Sequence, residues 1–131
     1  LDKAKKVFGQ LEMNIREMDP VEHDKHIAYV SHLSHITSFM LGKTVLEKET
    51  NEQNIFDMAG SGFASTVRLA KSSPEMWMPI FTQNKHNVLE SLTEYISNLN
   101  AFKDKLTADA HAELLAEMKD INKIKSILEH K

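Results

Sequence analysis

The sequence has 131 residues, of which 41% are hydrophobic and 27% are charged, a composition that suits one folded domain. Sixteen lysines and arginines against nineteen acidic residues give a net charge of −3, which argues against a protein that binds nucleic acid through a basic surface. The absence of cysteine excludes disulfides, thiolate metal sites and cysteine nucleophiles. Serine and histidine interrupt the most apolar stretch, 27–41, and the first ten residues lack the apolar core of a signal peptide. We therefore expect a soluble, cytoplasmic protein without a membrane span.

Capping residues divide the chain into helices. Asp19 before Pro20 and Ser73 before Pro74 are typical helix starts, because the first side chain accepts a bond from a free backbone N–H. Thr107 is a third predicted cap. The predicted helices cover 20–48, 62–72, 74–105 and 108–129, and a strand-like alternation over 13–18 follows a helical stretch over 2–11. The fold class is therefore an all-α, long-helix bundle over 20–131, with a helix and strand of different character in 1–19.

The length of the third predicted helix indicates an oligomer. An unbroken helix over 74–105 would be about 50 Å long, whereas a compact domain of this size has a diameter of roughly 35–40 Å. Its apolar residues recur every three or four positions and need a partner surface. The 27–41 stretch is apolar around most of its circumference, as in a central helix. We therefore predict an interleaved, two-fold homodimer.

Four histidines lie on the first predicted helix: His23, His26, His32 and His35. At about 100° per residue they face four directions, with His23 opposite His32, so no common metal site is predicted. For His26 and His32 we expect solvated side chains or hydrogen bonds within the core. His35 lies in an apolar run, where a buried imidazole needs a hydrogen-bonding partner. That partner is either another group of the protein, which helix geometry favours, or a bound ligand.

Arg68 is one of only two arginines in the chain. Its guanidinium presents a rigid fork of donors that fits a carboxylate. It follows the Gly60-Ser61-Gly62 loop, whose backbone N–H groups are suited to an anion. The alternative is a structural salt bridge to Asp24, Asp57 or Glu75, and spacing alone leaves both open. Composition and spacing thus lead as far as a helical dimer with a candidate anion site at His35 and Arg68.

The order of several motifs resembles the prephenate dehydrogenase family, in particular its C-terminal helical dimerisation domain. The motifs are Glu22-His23-Asp24, Val30 to His35, Ala59 to Phe63, Arg68 to Ala70, Ser73 to Trp77, and Asn84. The similarity covers about residues 2–105 and does not extend to the last predicted helix. It implies that residues 1–19 are the last helix and strand of a Rossmann-type NAD-binding domain. The remainder of that domain, with the NAD site and the catalytic histidine, would lie outside this chain, which alone would be inactive.

The resemblance also implies a function and site residues. Enzymes of this family convert prephenate to 4-hydroxyphenylpyruvate by NAD-dependent oxidative decarboxylation, on the route to tyrosine. Arg68 is similar to the arginine that binds a substrate carboxylate, and His35 to a histidine that lines the prephenate pocket. His23 and Asp24 resemble a pair that orders the site, and Gly60, Ser61 and Gly62 a turn that approaches the substrate. The expected partners are a second copy of the chain and prephenate, with no metal.

Four residues depart from the family pattern. Ser34 replaces a proline and Ser61 a glycine, while Ser65 and Val67 stand where an aspartate and a threonine often precede the arginine. The last change removes a carboxylate partner for Arg68 and leaves prephenate and arogenate both open as substrates. Two alternatives also stay open: the helical domain of another NAD(P)-dependent dehydrogenase, and a free-standing helical dimer that acts only in protein interactions.

Overall fold

The computed structural model describes residues 19–51 and 55–129. Within these ranges the secondary structure is helical and contains no strand, which confirms the all-α prediction. The helix and strand predicted within 1–18 lie outside the described residues. The chain divides into two compact units, Leu1–Val88 and Leu89–Lys131. No helix in the described ranges is long and apolar enough to cross a membrane.

The first helical run begins at the predicted cap. The Asp19 carboxylate accepts hydrogen bonds from the backbone N–H groups of Val21 at 2.9 Å and Glu22 at 3.1 Å, and Pro20 occupies the first helical position. The run comprises α1 (Pro20–Ile27), a π-helical segment (Ala28–His32) and α2 (Leu33–Asn51). Local cap chemistry is therefore sufficient to start this helix where the sequence predicts it.

The π-helical segment changes the direction of the side chains that follow it. The N–H of Leu33 donates to the carbonyl of Ala28, five residues earlier, instead of four. Each residue of a π turn therefore advances the helix by a smaller angle than the usual 100° or so. One carbonyl of the segment, that of Ser31, also accepts a side-chain bond, from Nδ1 of His35 in α2 at 2.9 Å.

The rest of the first unit consists of short helices and turns. They are a 3₁₀ turn (Phe56–Met58), α3 (Ser61–Thr66), a second 3₁₀ turn (Arg68–Lys71) and α4 (Pro74–Gln83). The single helix predicted over 62–72 is wrong, because Val67 departs from helical geometry, with φ −99° and ψ 10°. The second turn packs on α2, and just before it the Thr66 carbonyl, at the end of α3, accepts a bond from the Ser38 hydroxyl at 2.8 Å.

The long helix predicted over 74–105 is also interrupted. Ser73 caps α4 as predicted, accepting from the N–H of Met76 at 3.3 Å. The chain then leaves helical geometry at Asn84 (φ −112°, ψ 29°) before α5 (Lys85–Thr107). Pro79 weakens α4 because it lacks an N–H. The side chain of Asn84 bonds to the Asp24 carbonyl in α1. With 23 residues, α5 is only about 35 Å long, so helix length alone no longer requires a partner chain.

The second unit contains the remainder of α5, followed by α6 (His111–Ile121) and α7 (Ile124–Glu129). The cap predicted at Thr107 is wrong, because its hydroxyl bonds back to the Lys103 carbonyl at 2.8 Å within α5. The chain turns instead at Asp109, which has a left-handed φ of 56°. Among the described apolar side chains of this unit only Leu114 is buried.

Gly42 provides a test of the packing between α2 and the Arg68–Lys71 turn. A Cβ added there would lie 3.8 Å from the Cβ of Ala70, an ordinary contact distance. We expect Gly42→Ala to raise the free energy of unfolding by about 0.5–1 kcal/mol, because glycine inside a helix costs backbone entropy. Gly42→Leu should lower it by overpacking. Urea denaturation measures both, and a loss of stability in Gly42→Ala would contradict this packing.

Candidate functional site

Asn84 connects the α4–α5 junction to the first helical run. Its amide nitrogen Nδ2 donates to the carbonyl of Asp24 at 2.8 Å and lies 3.2 Å from Nδ1 of His32. Its Oδ1 accepts a bond from Nδ2 of Asn87 at 2.8 Å. The first two partners are 60 and 52 residues away in sequence, so one side chain joins distant parts of the first unit.

These contacts determine which nitrogen of His32 carries the proton. A carbonyl only accepts, so the Asn84 atom facing Asp24 must be the amide nitrogen. The same nitrogen faces Nδ1 of His32, which must therefore accept. A neutral imidazole whose Nδ1 accepts has its proton on Nε2. Burial lowers the pKa of His32, as do the nearby His35 and, more weakly, His23, while Asp24 acts in the opposite direction.

His32 and His35 both pack against aromatic rings of α4. The His32 side chain is 7% exposed and meets the rings of Trp77 and Phe81 edge-on, at centroid distances of 6.0 and 6.3 Å. The His35 ring stacks on Trp77 with centroids 3.4 Å apart. One ring nitrogen of His35 bonds to the Ser31 carbonyl, so its partner is a group of the protein, the alternative that helix geometry favours. Its Nε2 is the atom left for a ligand.

His23, Asp24, His32 and Asn84 line one open cleft of about 460 Å³, together with Ile27, Ile80 and Gln83. The exposed pair of His23 Nδ1 and Asp24 Oδ1 is 3.4 Å apart. The prediction that His23 and His32 point in opposite directions is wrong, because the π-helical segment between them changes the angular spacing. In the described part of the chain, no three His, Asp or Glu side chains are grouped closely enough to hold a metal ion.

Arg68 is exposed and begins the 3₁₀ turn that packs on α2. It forms no salt bridge or hydrogen bond with any described residue, so the predicted alternative of a structural ion pair with Asp24, Asp57 or Glu75 is wrong. The guanidinium is consequently available to an external anion.

The glycine loop is open on the side where a side chain would stand. Gly60 precedes α3 with φ −109°, and no side chain caps this helix. A Cβ added at Gly60 or Gly62 would meet no atom within 4 Å. Gly60 also lines a separate pocket of about 200 Å³ whose other residues include Val45, Phe56 and Phe63. Of the predicted site residues, His23 and Asp24 line the first cavity and Gly60 lines the second, whereas Arg68, His35, Ser61 and Gly62 line neither.

Sequence reasoning assigns no site role to His32, Trp77 or Asn84, although in the structure both Trp77 and Asn84 contact His32. The expectation that His32 is hydrogen-bonded within the core is confirmed. His26 is exposed, in line with the other half of that expectation. The sequence gives one local indication of a break at Asn84: asparagine is a poor helix former, and it follows Pro79 within a stretch of periodic apolar residues.

The sequence matches the family described as prephenate dehydrogenase, dimerization domain, over residues 19–120. The chain therefore belongs to this family, as the motif resemblance predicts. It is 28% identical over 103 residues to the prephenate dehydrogenase of Bacillus subtilis, covering 79% of this chain and 28% of that protein. It is also 28% identical over 116 residues to the cyclohexadienyl dehydrogenase of Zymomonas mobilis, covering 87% of this chain and 39% of that protein.

Solved structures show the same fold. The prephenate dehydrogenase of Aquifex aeolicus, in complex with hydroxyphenyl propionate and NAD⁺, superposes with a TM-score of 0.86 at 34% identity, over 96% of this chain and 44% of that one. The arogenate dehydrogenase of Synechocystis has a TM-score of 0.80 at 24% identity, over 95% of this chain and 46% of that one, which supports the fold alone. The chain thus spans less than half the length of each of these proteins.

The lowered pKa of His32 predicts a pH dependence of stability. The unfolded chain takes up a proton near the ordinary value of 6.5, whereas folded His32 resists it until a lower pH. The contribution of neutral His32 to the free energy of unfolding is therefore fully present above about pH 6.5. It is lost as the pH falls below that value towards the lower pKa of the folded state. Urea denaturation at about pH 7.5 and about pH 5.5 should show a smaller loss in His32→Gln than in the wild type. His26→Gln, at an exposed position of α1, is the control and should behave like the wild type.

Proposed function

We propose that this chain is the substrate-binding and dimer-forming part of a prephenate dehydrogenase, which converts prephenate to 4-hydroxyphenylpyruvate by NAD-dependent oxidative decarboxylation. The observation that carries the proposal is the guanidinium of Arg68, which pairs with no residue in 19–51 or 55–129 of a chain of this family. The solved Aquifex aeolicus relative supports the proposal, because it superposes on 96% of this chain and holds hydroxyphenyl propionate. That ligand has an aromatic ring and a carboxylate.

The residues of the chain would bind and orient the substrate. Prephenate has two carboxylates, and a carboxylate that leaves water needs charged or hydrogen-bonding partners. Arg68 offers two parallel donors to one of them. His35 Nε2 accepts from a hydroxyl group when the ring is neutral and donates to a carboxylate when it is protonated, because Nδ1 already donates to Ser31. In this proposal His23, Asp24 and the 60–62 loop border the substrate.

The proposal divides the whole enzyme into two functions. Residues 20–131 form the helical domain, and residues 1–19 belong to a separate domain that binds NAD. Bound there, NAD would supply the hydride acceptor, whereas in this proposal the helical domain binds and orients the substrate, supplies no catalytic residue and binds no metal. Prephenate is the substrate of this proposal because the relatives from Bacillus subtilis, at 28% identity, and Aquifex aeolicus, at 34%, are prephenate dehydrogenases, and arogenate stays open beside it. A cytoplasmic location is part of the same proposal.

The homodimer is supported by the apolar surface of the second unit. One apolar side chain, Leu114, is buried among its described residues, and many others are about half exposed. These exposed residues are Leu89, Ile96, Leu99, Phe102, Leu106, Leu115, Met118, Ile121, Ile124, Ile127 and Leu128. An apolar surface of this extent is typical of an interface between subunits. The occupant we propose is a second copy, since the family is that of a dimerization domain.

Substitution of Arg68 tests the substrate site. In the whole enzyme that contains this chain, we expect Arg68→Ala to weaken prephenate binding by about 2–5 kcal/mol, because the substrate carboxylate would be left desolvated and unpaired. The KM for prephenate would then rise by roughly 30- to 4,000-fold if KM reflects binding. Arg68→Lys should recover part of the loss, since an ammonium lacks the planar fork. Steady-state kinetics with each substrate varied in turn measures these effects.

Lys71→Ala is the matched control, because Lys71 is an exposed cation in the same 3₁₀ turn. It should leave the KM for prephenate nearly unchanged, and none of the three variants should change the KM for NAD. If Arg68→Ala keeps the prephenate KM within about twofold while the protein remains folded, Arg68 does not bind the substrate.

The dimer has a separate test in sedimentation velocity. An obligate interface buries more than about 2,000 Å² in total, so the chain should remain dimeric at micromolar concentration. Leu99→Asp places a charge on the exposed apolar side of α5 and should shift the chain towards monomer. Asn98→Asp adds the same charge at the neighbouring exposed polar position and should remain dimeric. A folded wild-type monomer would contradict the proposal.

A further inference from the structure

The cleft lined by His23, Asp24, His32 and Asn84 contains a donor that neither the motif resemblance nor the proposed function uses. His32 lines this cleft, and its Nδ1 accepts from Asn84. Its Nε2 bonds to no described residue, yet no buried side-chain nitrogen or oxygen in the described ranges lacks a partner. Nε2 is therefore accessible, and the cleft is the space that His32 borders. A protonated Nε2 presents one N–H donor there.

We propose that Asn84 is a positioning residue, which holds His32 in its Nε2-protonated form so that the cleft offers a donor to an oxygen acceptor of the ligand, a carboxylate or a carbonyl. The chain of hydrogen bonds begins at the Asp24 carbonyl, which orients the amide, and the amide then makes Nδ1 of His32 accept. The ligand class rests on the proposed function, whereas the protonation of His32 does not.

His32 and His35 then present opposite atoms although they are three residues apart. Nδ1 of His35 donates to the Ser31 carbonyl, so the accessible nitrogen of neutral His35 is an acceptor. Nδ1 of His32 accepts from an amide, so its other nitrogen is a donor. Of these two histidines only His32 lines the cleft, so its donor favours a carbonyl or carboxylate oxygen of a ligand there, because a mismatched polar group would be left without a partner.

The groups around His32 keep it neutral. Burial and the two nearby imidazoles, His35 and His23, disfavour a positive charge, and Asp24 is the acidic side chain that opposes them. From α4 the packed residues are Trp77 and Phe81, which are uncharged. The donor on Nε2 therefore does not depend on protonation of the ring to the charged form.

Long-range ¹H–¹⁵N correlation spectra of the ¹⁵N-histidine-labelled chain test the role of Asn84 directly. In the wild type at neutral pH, Nδ1 of His32 should have the shift of an unprotonated nitrogen and Nε2 that of a protonated one. In Asn84→Asp a carboxylate, which only accepts, faces Nδ1. That nitrogen should then be protonated, with a rise of about 1–3 units in the His32 pKa.

Gln83→Glu is the matched control, because it makes the same amide-to-carboxylate change at the next position of the same cleft. It should leave His32 protonated on Nε2 only. Asn84→Ala removes the amide without adding charge and should give a mixture of the two neutral forms, which keeps the test available if Asn84→Asp does not fold. A wild-type His32 protonated on Nδ1, or one unchanged by both Asn84 substitutions, would overturn the proposal.

Titration with 3-(4-hydroxyphenyl)propionate then tests the ligand. The Nε2 signals of His32 should shift in the wild type and in Gln83→Glu. Binding should be at least about tenfold weaker in His32→Phe, which keeps a ring and removes the donor, the loss expected for one hydrogen bond to a charged group. Equal affinity in all three would refute the binding role of His32. Failure of the wild type to bind would contradict the proposed function and this ligand class, while the spectra without ligand would still decide the role of Asn84.

Discussion

The hydrogen bond from the Asn84 amide to the Asp24 carbonyl is the constraint on which the first unit depends. It joins residues 60 positions apart, and it lies where the chain leaves helical geometry between α4 and α5. The same nitrogen reaches Nδ1 of His32, so one amide both connects two helical segments and sets the protonation of a buried imidazole. Because a carbonyl accepts and never donates, the polarity of this whole cluster follows from a single backbone group.

The π-helical segment has a comparable effect on the site. It allows His23 and His32 to border one cleft, although regular helical spacing would place them on opposite sides. His35 follows the segment, donates back to the carbonyl of Ser31 and stacks on Trp77. A wider turn in one helix thus brings together imidazoles that a regular helix would separate, and such insertions are frequent at functional sites.

Arg68 and the apolar surface of the second unit are both groups that the described residues leave without partners. Ser65 and Val67 supply no carboxylate near the arginine, and the guanidinium forms no ion pair with any residue the structure describes. Likewise Leu99 and Phe102 of α5 are about half exposed. Membership of a dimerization-domain family explains the second observation more directly than helix length does, because α5 is short enough for a domain of ordinary size.

The correct predictions from the sequence rest on interactions between residues that are close together in the chain. The caps at Asp19 and Ser73, the all-α class and the family motifs depend on residues within a few positions of one another. Only the tertiary structure decided the break at Asn84, the protonation of His32 and the lack of an ion pair between Arg68 and the described acidic residues. The contacts of Asn84 join groups 52 and 60 residues apart, and the state of Arg68 depends on where the acidic side chains lie in space. Helical periodicity contains no information about either.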